Sequence, residues 1–441
     1  MEGVISRARY RAGRQEYALT DGKAEFPFDS RENFHQGACV RIQGEMGVAG
    51  RIAVTKAEVF TGDGAKAVYE KVKANAADAA AFPDAPSLVK DDVTEKLWPQ
   101  MKNAALELFI AKKLGRSVLL RFHGDADGIA GALALTDLLY CKPFQQNSAT
   151  YGARDALRDI SFIGQESRPL ALLLDFGSGK NCAEGIGFLR AAGIECIIID
   201  HHPYEGAPNE GAVNPFNVAV NASKYTAGYL ACEIAVALGL EKEKALGLAK
   251  IACSGDKSDI LPTDESDRAK ALVLDFLASH MSFGNNLDFY RNVMQNPELF
   301  TSIMRQADET INEAADKAVA KMKRQGQGVE IITFPLEGIA KKDEWPPSGK
   351  ITTRVFDRLK GEKPLLCIGY TDRSIIMRLN DAAVASGLDA NALATKLKAS
   401  MADFVEGGGG HTKAGAIRVK ADFVKDVLNE LVREALATAA K

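Results

Sequence analysis

The feature that most limits what this 441-residue chain can fold into is a set of short apolar runs, each ending abruptly in acidic or imidazole side chains. Ser117–Phe122 leads into His123-Gly124-Asp125-Ala126-Asp127-Gly128, Ala171–Leu174 into Asp175-Phe176-Gly177-Ser178-Gly179, and Cys196–Ile199 into Asp200-His201-His202-Pro203. Near-continuous apolar runs are the pattern of strands covered on both faces, as in a parallel sheet. Helix-like stretches separate them, so the segment reads as βαβ crossovers of an α/β fold. Ligands of open α/β sheets bind beyond the carboxyl ends of the strands, which is where the charged groups fall here. A fourth acidic turn, Ser254-Gly255-Asp256-Lys257-Ser258-Asp259, follows the helical Ala245–Cys253.

Composition narrows the class. Hydrophobic residues make up 46% and charged residues 26%, an ordinary globular balance, and no run approaches the roughly twenty apolar residues of a membrane span. The first thirty residues mix charge and apolar character without a secretory pattern, so a cytoplasmic location is expected. Seven cysteines, scattered and never in a CxxC pair, argue against a disulfide framework or a zinc cluster. The net charge of −3 gives no global basic field.

Along the chain, residues 1–60 break into short apolar or alternating runs between Gly, Asp and Asn turns, the pattern of a small β-barrel of the oligonucleotide/oligosaccharide-binding (OB) type, expected as a domain over 1–75. Arg7, Arg9, Arg11 and Arg14 with Tyr10 and Tyr17 leave two roles open for it, strand binding or docking of a protein partner. The Ala/Pro-rich stretch Ala74–Ser87 reads as a linker, with a boundary near 75–95. Trp98, Met101, Ala105, Leu108 and Phe109 recur at helical spacing up to Gly115 and open a catalytic lobe over 95–300. A long amphipathic helix over 301–328, closing at Gly326, connects it to a smaller α/β lobe over 329–441.

Three of the six histidines and at least four aspartates thus converge on one sheet edge. Carboxylates packed together raise one another's pKa unless a cation neutralises them. Asp/His ligation without cysteine suits Mn²⁺ or Mg²⁺ better than structural zinc. Two such ions, roughly 3.5–4 Å apart and bridged by a shared carboxylate, clamp the attacking water and leaving oxygen of a phosphoryl displacement. In the last lobe, Gly407-Gly408-Gly409-Gly410-His411 followed by Thr412-Lys413 reads either as a backbone nest for a phosphate or strand end or as a flexible loop. Arg378, on the strand-like Ser374–Leu379, is a candidate partner for the same phosphate.

In this order, HGDADG, LLLDFGSG, IIDHHP and SGDKSD resemble the DHH phosphoesterases, and the GGGH run resembles the signature of their first DHH-associated domain type. The resemblance spans roughly residues 100–441, and the barrel-like front and long helix look like the archaeal RecJ-like nucleases, including those associated with the GINS replication complex. It implies a DHH lobe, a DHH-associated lobe and two divalent ions, Mn²⁺ or Mg²⁺. Their ligands would be Asp125, Asp127, Asp175 as bridge, His201 and Asp256, with His123 completing one shell. Asp200 would orient His201, and His202 would face the scissile phosphate. Bacterial RecJ proteins carry a longer DxDxD where this chain has only Asp125-Ala126-Asp127. Gly408, Gly409, Gly410, His411, Lys413 and Arg378 would hold the substrate.

The resulting expectation is a metal-dependent exonuclease that hydrolyses single-stranded DNA or RNA from an end, in replication or repair. The alternatives are a phosphodiesterase for nano-RNA, cyclic dinucleotides or phosphoadenosine phosphate, and a non-catalytic replication scaffold of the same fold.

Overall fold

In the computed structural model the chain is described over residues 1–441 except 12–13, 31, 48–49, 205–210, 221, 282–286, 342–343 and 440–441, together with the side chains of Arg11, Arg14 and His411. It divides into two compact units, Met1–Gln295 and Asn296–Lys441.

The first unit opens with five strands: β1 (Glu2–Arg11), β2 (Arg14–Thr20), β3 (Glu25–Asp29), β4 (Cys39–Met46) and β5 (Ile52–Val59). They close a barrel in the order β1-β2-β3-β5-β4, which leaves no unpaired edge. Alternation along the strands sends Ile5, Tyr17, Leu19, Phe28, Val40 and Ile42 inward. Tyr17 is therefore a core residue, 2% exposed, and not a stacking platform, whereas Tyr10 is 74% exposed. Arg11 and Arg14 have side chains outside the described residues.

Helices α1 (Gly62–Asp78) and α2 (Asp92–Leu114) cover one side of the barrel. Val4 and Cys39 of the barrel share a core with Val68, Tyr69, Val72 and Ala76 of α1 and Ile110 and Leu114 of α2. The stretch expected to be a linker is thus helical over Ala74–Asp78 and tied down at its other end, Ser87. The main-chain N–H groups of Ser87, Leu88 and Val89 all donate to the carboxylate of Glu233, a fully buried residue. Several donors on one buried carboxylate offset its loss of hydration, so this segment is fixed to the element that carries Glu233.

Beyond α2, the chain alternates: β6 (Val118–His123), α3 (Ala126–Thr136), β7 (Cys141–Gln146), α4 (Ala153–Ile163), β8 (Leu170–Leu174), α5 (Ala183–Ala191), β9 (Glu195–Ile199) and β10 (Ala212–Val213). All pairs are parallel and the order is β10-β9-β8-β6-β7. The chain steps from β6 outward to β7 and then returns to the other side at β8. This reversal opens a crevice at the carboxyl ends of β6 and β8. Four helices, α6 (Ala227–Ala237), α7 (Lys242–Gly255), α8 (Glu265–His280) and α9 (Leu287–Gln295), complete the unit, with α3, α6 and α7 packed on one another.

In the second unit the long helix α10 (Pro297–Val319) ends earlier than the spacing predicts. Lys323–Gln325 leave the helix to form β11, an edge strand paired with β12 (Glu330–Pro335), where main-chain bonding replaces another helical turn. Then follow α11 (Ser348–Leu359), β13 (Leu365–Tyr370), β14 (Ser374–Leu379), α12 (Asp381–Ala385), α13 (Ala390–Ser400), β15 (Val405–His411), β16 (Ala414–Val419) and α14 (Val424–Ala439). The sheet order is β11-β12-β13-β14-β16-β15. The glycine run is therefore an edge strand, not a loop.

Gly115 shows how closely the barrel is seated. It caps α2 with φ of 66°, and a Cβ there would lie 1.8 Å from the Ser6 carbonyl oxygen of β1. Gly115→Ala combines a left-handed backbone with that clash, so a loss of about 2–4 kcal/mol is expected. Urea unfolding checks it; an unchanged midpoint would mean that the barrel is not seated there.

Candidate metal centre

Local chemistry delivers each side chain to the crevice. His123 is the last residue of β6, and Asp125 caps α3 by accepting the Gly128 N–H at 3.0 Å. Asp127 lies in the first turn of α3, fully buried, where the helix N-terminus favours negative charge. Asp175 leaves β8 at φ of 67°, a strained conformation for a residue with a Cβ, and is pinned by its N–H to the Ile199 carbonyl. His201 follows β9, and Asp256 terminates α7.

These groups close on one another. His201 Nε2 lies 3.1 Å from Asp256 Oδ2, 3.3 Å from Asp175 Oδ1 and 3.9 Å from Asp127 Oδ2. On the other flank, His123 Nδ1 lies 2.7 Å from Asp125 Oδ2 and 3.3 Å from Asp175 Oδ2. Asp127, His201 and Asp256 form one potential ligand group, and His123, Asp125 and Asp175 form another. The two oxygens of Asp175 face the two flanks separately.

The donor set fits cations. Asp127 Oδ2 and Asp175 Oδ1 are buried without a hydrogen-bond partner, an unfavourable condition for carboxylates. Burial, followed by the charges of Asp175 and Asp256, pushes the Asp127 pKa well above the usual carboxylate range. Burial opposes the charged imidazole of His201, but Asp175 and Asp256 outweigh it and raise its pKa well above the ordinary value. Divalent ions would take the place of these protons, with Asp127, Asp175, His201 and Asp256 on one flank and His123, Asp125 and Asp175 on the other.

Asp200 does a different job from the one expected. His201 Nδ1 donates to the Ser223 carbonyl at 2.9 Å, so that carbonyl sets the ring and leaves Nε2 to the carboxylates. Asp200 Oδ1 accepts the His201 and His202 N–H groups at 2.8 and 3.1 Å and lies 2.8 Å from His202 Nδ1. Its other oxygen accepts the Ser178 N–H at 2.8 Å. Although burial acts to raise it, these bonds and the nearby imidazoles hold the Asp200 pKa at about 2. His202 is half-exposed, and Asp200 engages its Nδ1 rather than its Nε2.

Two supporting positions escape a reading of charged motifs. The Gly228 N–H donates to Asp127 Oδ1 at 3.0 Å, and a Cβ at Gly228 would lie 2.4 Å from the Asp127 carbonyl oxygen. Asn214, fully buried, donates to Ser178 Oγ at 2.9 Å and to the His202 carbonyl at 3.0 Å, joining two strand-end loops. Of the second-unit candidates, Gly408, Gly409 and Gly410 lie on β15, and within that run only Gly410 has a positive φ, 150°. Arg378 donates to Thr353 Oγ1 and the Met377 carbonyl, and Lys413 pairs with Asp381 at 2.5 Å. The His411 side chain lies outside the described residues.

Mn²⁺ should raise the melting temperature, because binding to the folded state alone adds about 2.7 kcal/mol at a hundredfold excess over Kd. Affinity should strengthen as pH rises, since the raised Asp127 and His201 pKa values mean that protons must leave before an ion enters. Asp127→Asn should melt higher than the parent without metal and lose the part of the Mn²⁺ response that comes from the His201 flank. Calorimetric melting over a pH series checks this, and an undiminished Mn²⁺ response in Asp127→Asn would count against the assignment.

Residues 117–255 match the DHH family, N-terminal domain. An uncharacterized protein of Methanocaldococcus jannaschii is 24% identical over 453 residues, covering 86% of this chain and 58% of that protein, so the chain spans less than two thirds of its relative. Among solved structures, the DHH domain of a protein described as a member of a ribosomal-protein family superposes with a TM-score of 0.74 at 25% identity, covering 85% of this chain and 99% of that one. RecJ of Thermus thermophilus shares the fold, with a TM-score of 0.52 at 15% identity over 85% of this chain and 59% of that one. The strand ends that carry His123, Asp125, Asp127, Asp175, His201 and His202 thus lie within the stretch, residues 117–255, that matches the DHH family, N-terminal domain.

Proposed function

We propose that this protein is a metal-dependent phosphoesterase that hydrolyses single-stranded nucleic acid from an end. The carrying observation is Asp175, whose two oxygens face two separate groups of ligand atoms, the arrangement a bridging carboxylate needs. The T. thermophilus RecJ of similar fold is described in complex with Mn²⁺, which supports manganese as the ion to try first.

Bound divalent ions supply Lewis acidity, lowering the pKa of water and neutralising charge on a phosphoryl group. The chain's own residues do the rest. Asp127, Asp175, His201 and Asp256, with His123 and Asp125, fix where that acidity falls, because strand ends and helix termini hold them rather than mobile loops. Burial opposes charge on His202, but its contact with Asp200 outweighs this and raises its pKa, favouring the imidazolium, a donor for a phosphate oxygen. Arg378 suits a phosphate because no carboxylate pairs with it among the described residues, while burial lowers its pKa and makes an anionic partner favourable. Gly408, Gly409, Gly410 and Lys413, with His411, are assigned to the same substrate grip, since an edge strand without side chains lets a ligand approach main-chain groups.

End-labelled single strands of DNA and RNA, in both polarities, should be shortened stepwise with Mn²⁺ and left whole with EDTA. Asp175→Ala and His201→Ala should each lower turnover by about 10³-fold or more while far-UV circular dichroism is retained. Near-normal turnover in either variant would contradict the two-ion assignment, and cleavage confined to dinucleotides would favour a small-substrate phosphodiesterase.

A further inference from the structure

The segment Ala222–Gly228 contains no acidic residue, yet it reaches two of the assigned ligands, His201 and Asp127, and the turn that follows a third, Asp256. The Ser223 carbonyl accepts from His201 Nδ1 at 2.9 Å. The Gly228 N–H donates to Asp127 Oδ1 at 3.0 Å. The Lys224 carbonyl accepts from the Ser258 hydroxyl, two residues beyond Asp256. A carbonyl can hold an imidazole only as rigidly as its own loop is held, so what fixes Ser223 fixes His201.

Tyr225 is the fixed point. It is 3% exposed, and its hydroxyl donates to Asp91 Oδ2 at 2.7 Å, across 134 residues of sequence. Asp91 is itself immobilised: its Oδ1 caps α2 by accepting the Val93 and Thr94 N–H groups at 3.1 and 2.9 Å. The strap just before it is clamped by the three N–H groups on Glu233. The ring of Tyr225 thus bridges a rigid helix cap and the loop whose next-door carbonyl orients His201.

We propose that the Tyr225–Asp91 hydrogen bond is the clasp that sets metal affinity on the His201 flank, with Tyr225 a positioning residue acting through Ser223. This rests on the metal-centre reading above and extends it to a residue remote from the ligands. Releasing the hydroxyl lets the 222–226 loop shift, so that the His201 ring is no longer held with Nε2 toward Asp127, Asp175 and Asp256. The His123 flank shares no bond with this loop among the described residues, so its affinity is unaffected.

The test is Mn²⁺ titration of the full chain, followed by the paramagnetic resonance of free Mn²⁺, comparing the parent with Tyr225→Phe and Tyr229→Phe. Tyr229 also donates its hydroxyl to a buried carboxylate, that of Glu233 at 3.0 Å, so its variant loses a similar bond without touching Ser223. Tyr225→Phe should weaken one class of Mn²⁺ site about tenfold and leave the other unchanged, with a melting temperature near that of Tyr229→Phe. Tyr229→Phe should bind Mn²⁺ as the parent does. Parent-like Mn²⁺ binding by Tyr225→Phe would overturn the clasp, as would an equal loss in both variants, which is what general loosening gives. A parent protein that binds no Mn²⁺ would instead overturn the metal-centre reading itself.

Discussion

The structure turns on the cost of holding Asp127 and Asp175 together in a buried crevice. Carboxylates crowded together raise one another's cost of ionising, and Asp127 and Asp175 each keep one buried oxygen without a hydrogen-bond partner. Folding tolerates this because main-chain groups grip both: the N–H of Gly228 holds the other oxygen of Asp127, and the Asp175 N–H is tied to Ile199 on the neighbouring strand. Both unsatisfied oxygens lie within 4 Å of His201 Nε2, at 3.9 and 3.3 Å, where a cation held by the same three residues would relieve the crowding. Stability is given up for a concentrated negative site, as functional strain usually requires.

The surrounding fold can be understood as what keeps that grip. β6, β8 and β9 are adjacent in the middle of the sheet, so their ends cannot drift apart. Asp200 is devoted to the loops, tying the His201 and His202 main chain to Ser178, and Asn214 ties Ser178 back to His202. The barrel, α1 and α2 form a continuous support, because α2 both shares a core with the barrel and carries the cap residue Asp91. A segment that looks like a spacer in the sequence is thereby part of the framework on which the site is held.

The sheet and most of the charged cluster are legible in the sequence because the strands are buried on both faces, and their apolar runs stop where the chemistry starts. β7 and β10 are not, since Cys141–Gln146 is a half-covered edge strand with a proline and two glutamines, and Ala212–Val213 is two residues long. Gly228, Ser223 and Asn214 are invisible for another reason: they act through main-chain groups or an amide whose partners are distant in sequence. The glycine run does not look like a strand because glycine's low strand propensity is a local preference, and pairing with β16 overrides it. Tyr17 passes for an exposed ring because an aromatic on a barrel strand can face either way, and register, not composition, decides.

The central claim is that one carboxylate serves two ions. Anomalous diffraction from crystals grown with Mn²⁺ addresses it directly. Two manganese peaks, one among Asp127, His201 and Asp256 and the other beside His123 and Asp125, with Asp175 contacting both, is the predicted result. A single peak that leaves one oxygen of Asp175 uncoordinated, or peaks remote from these residues, would contradict the account.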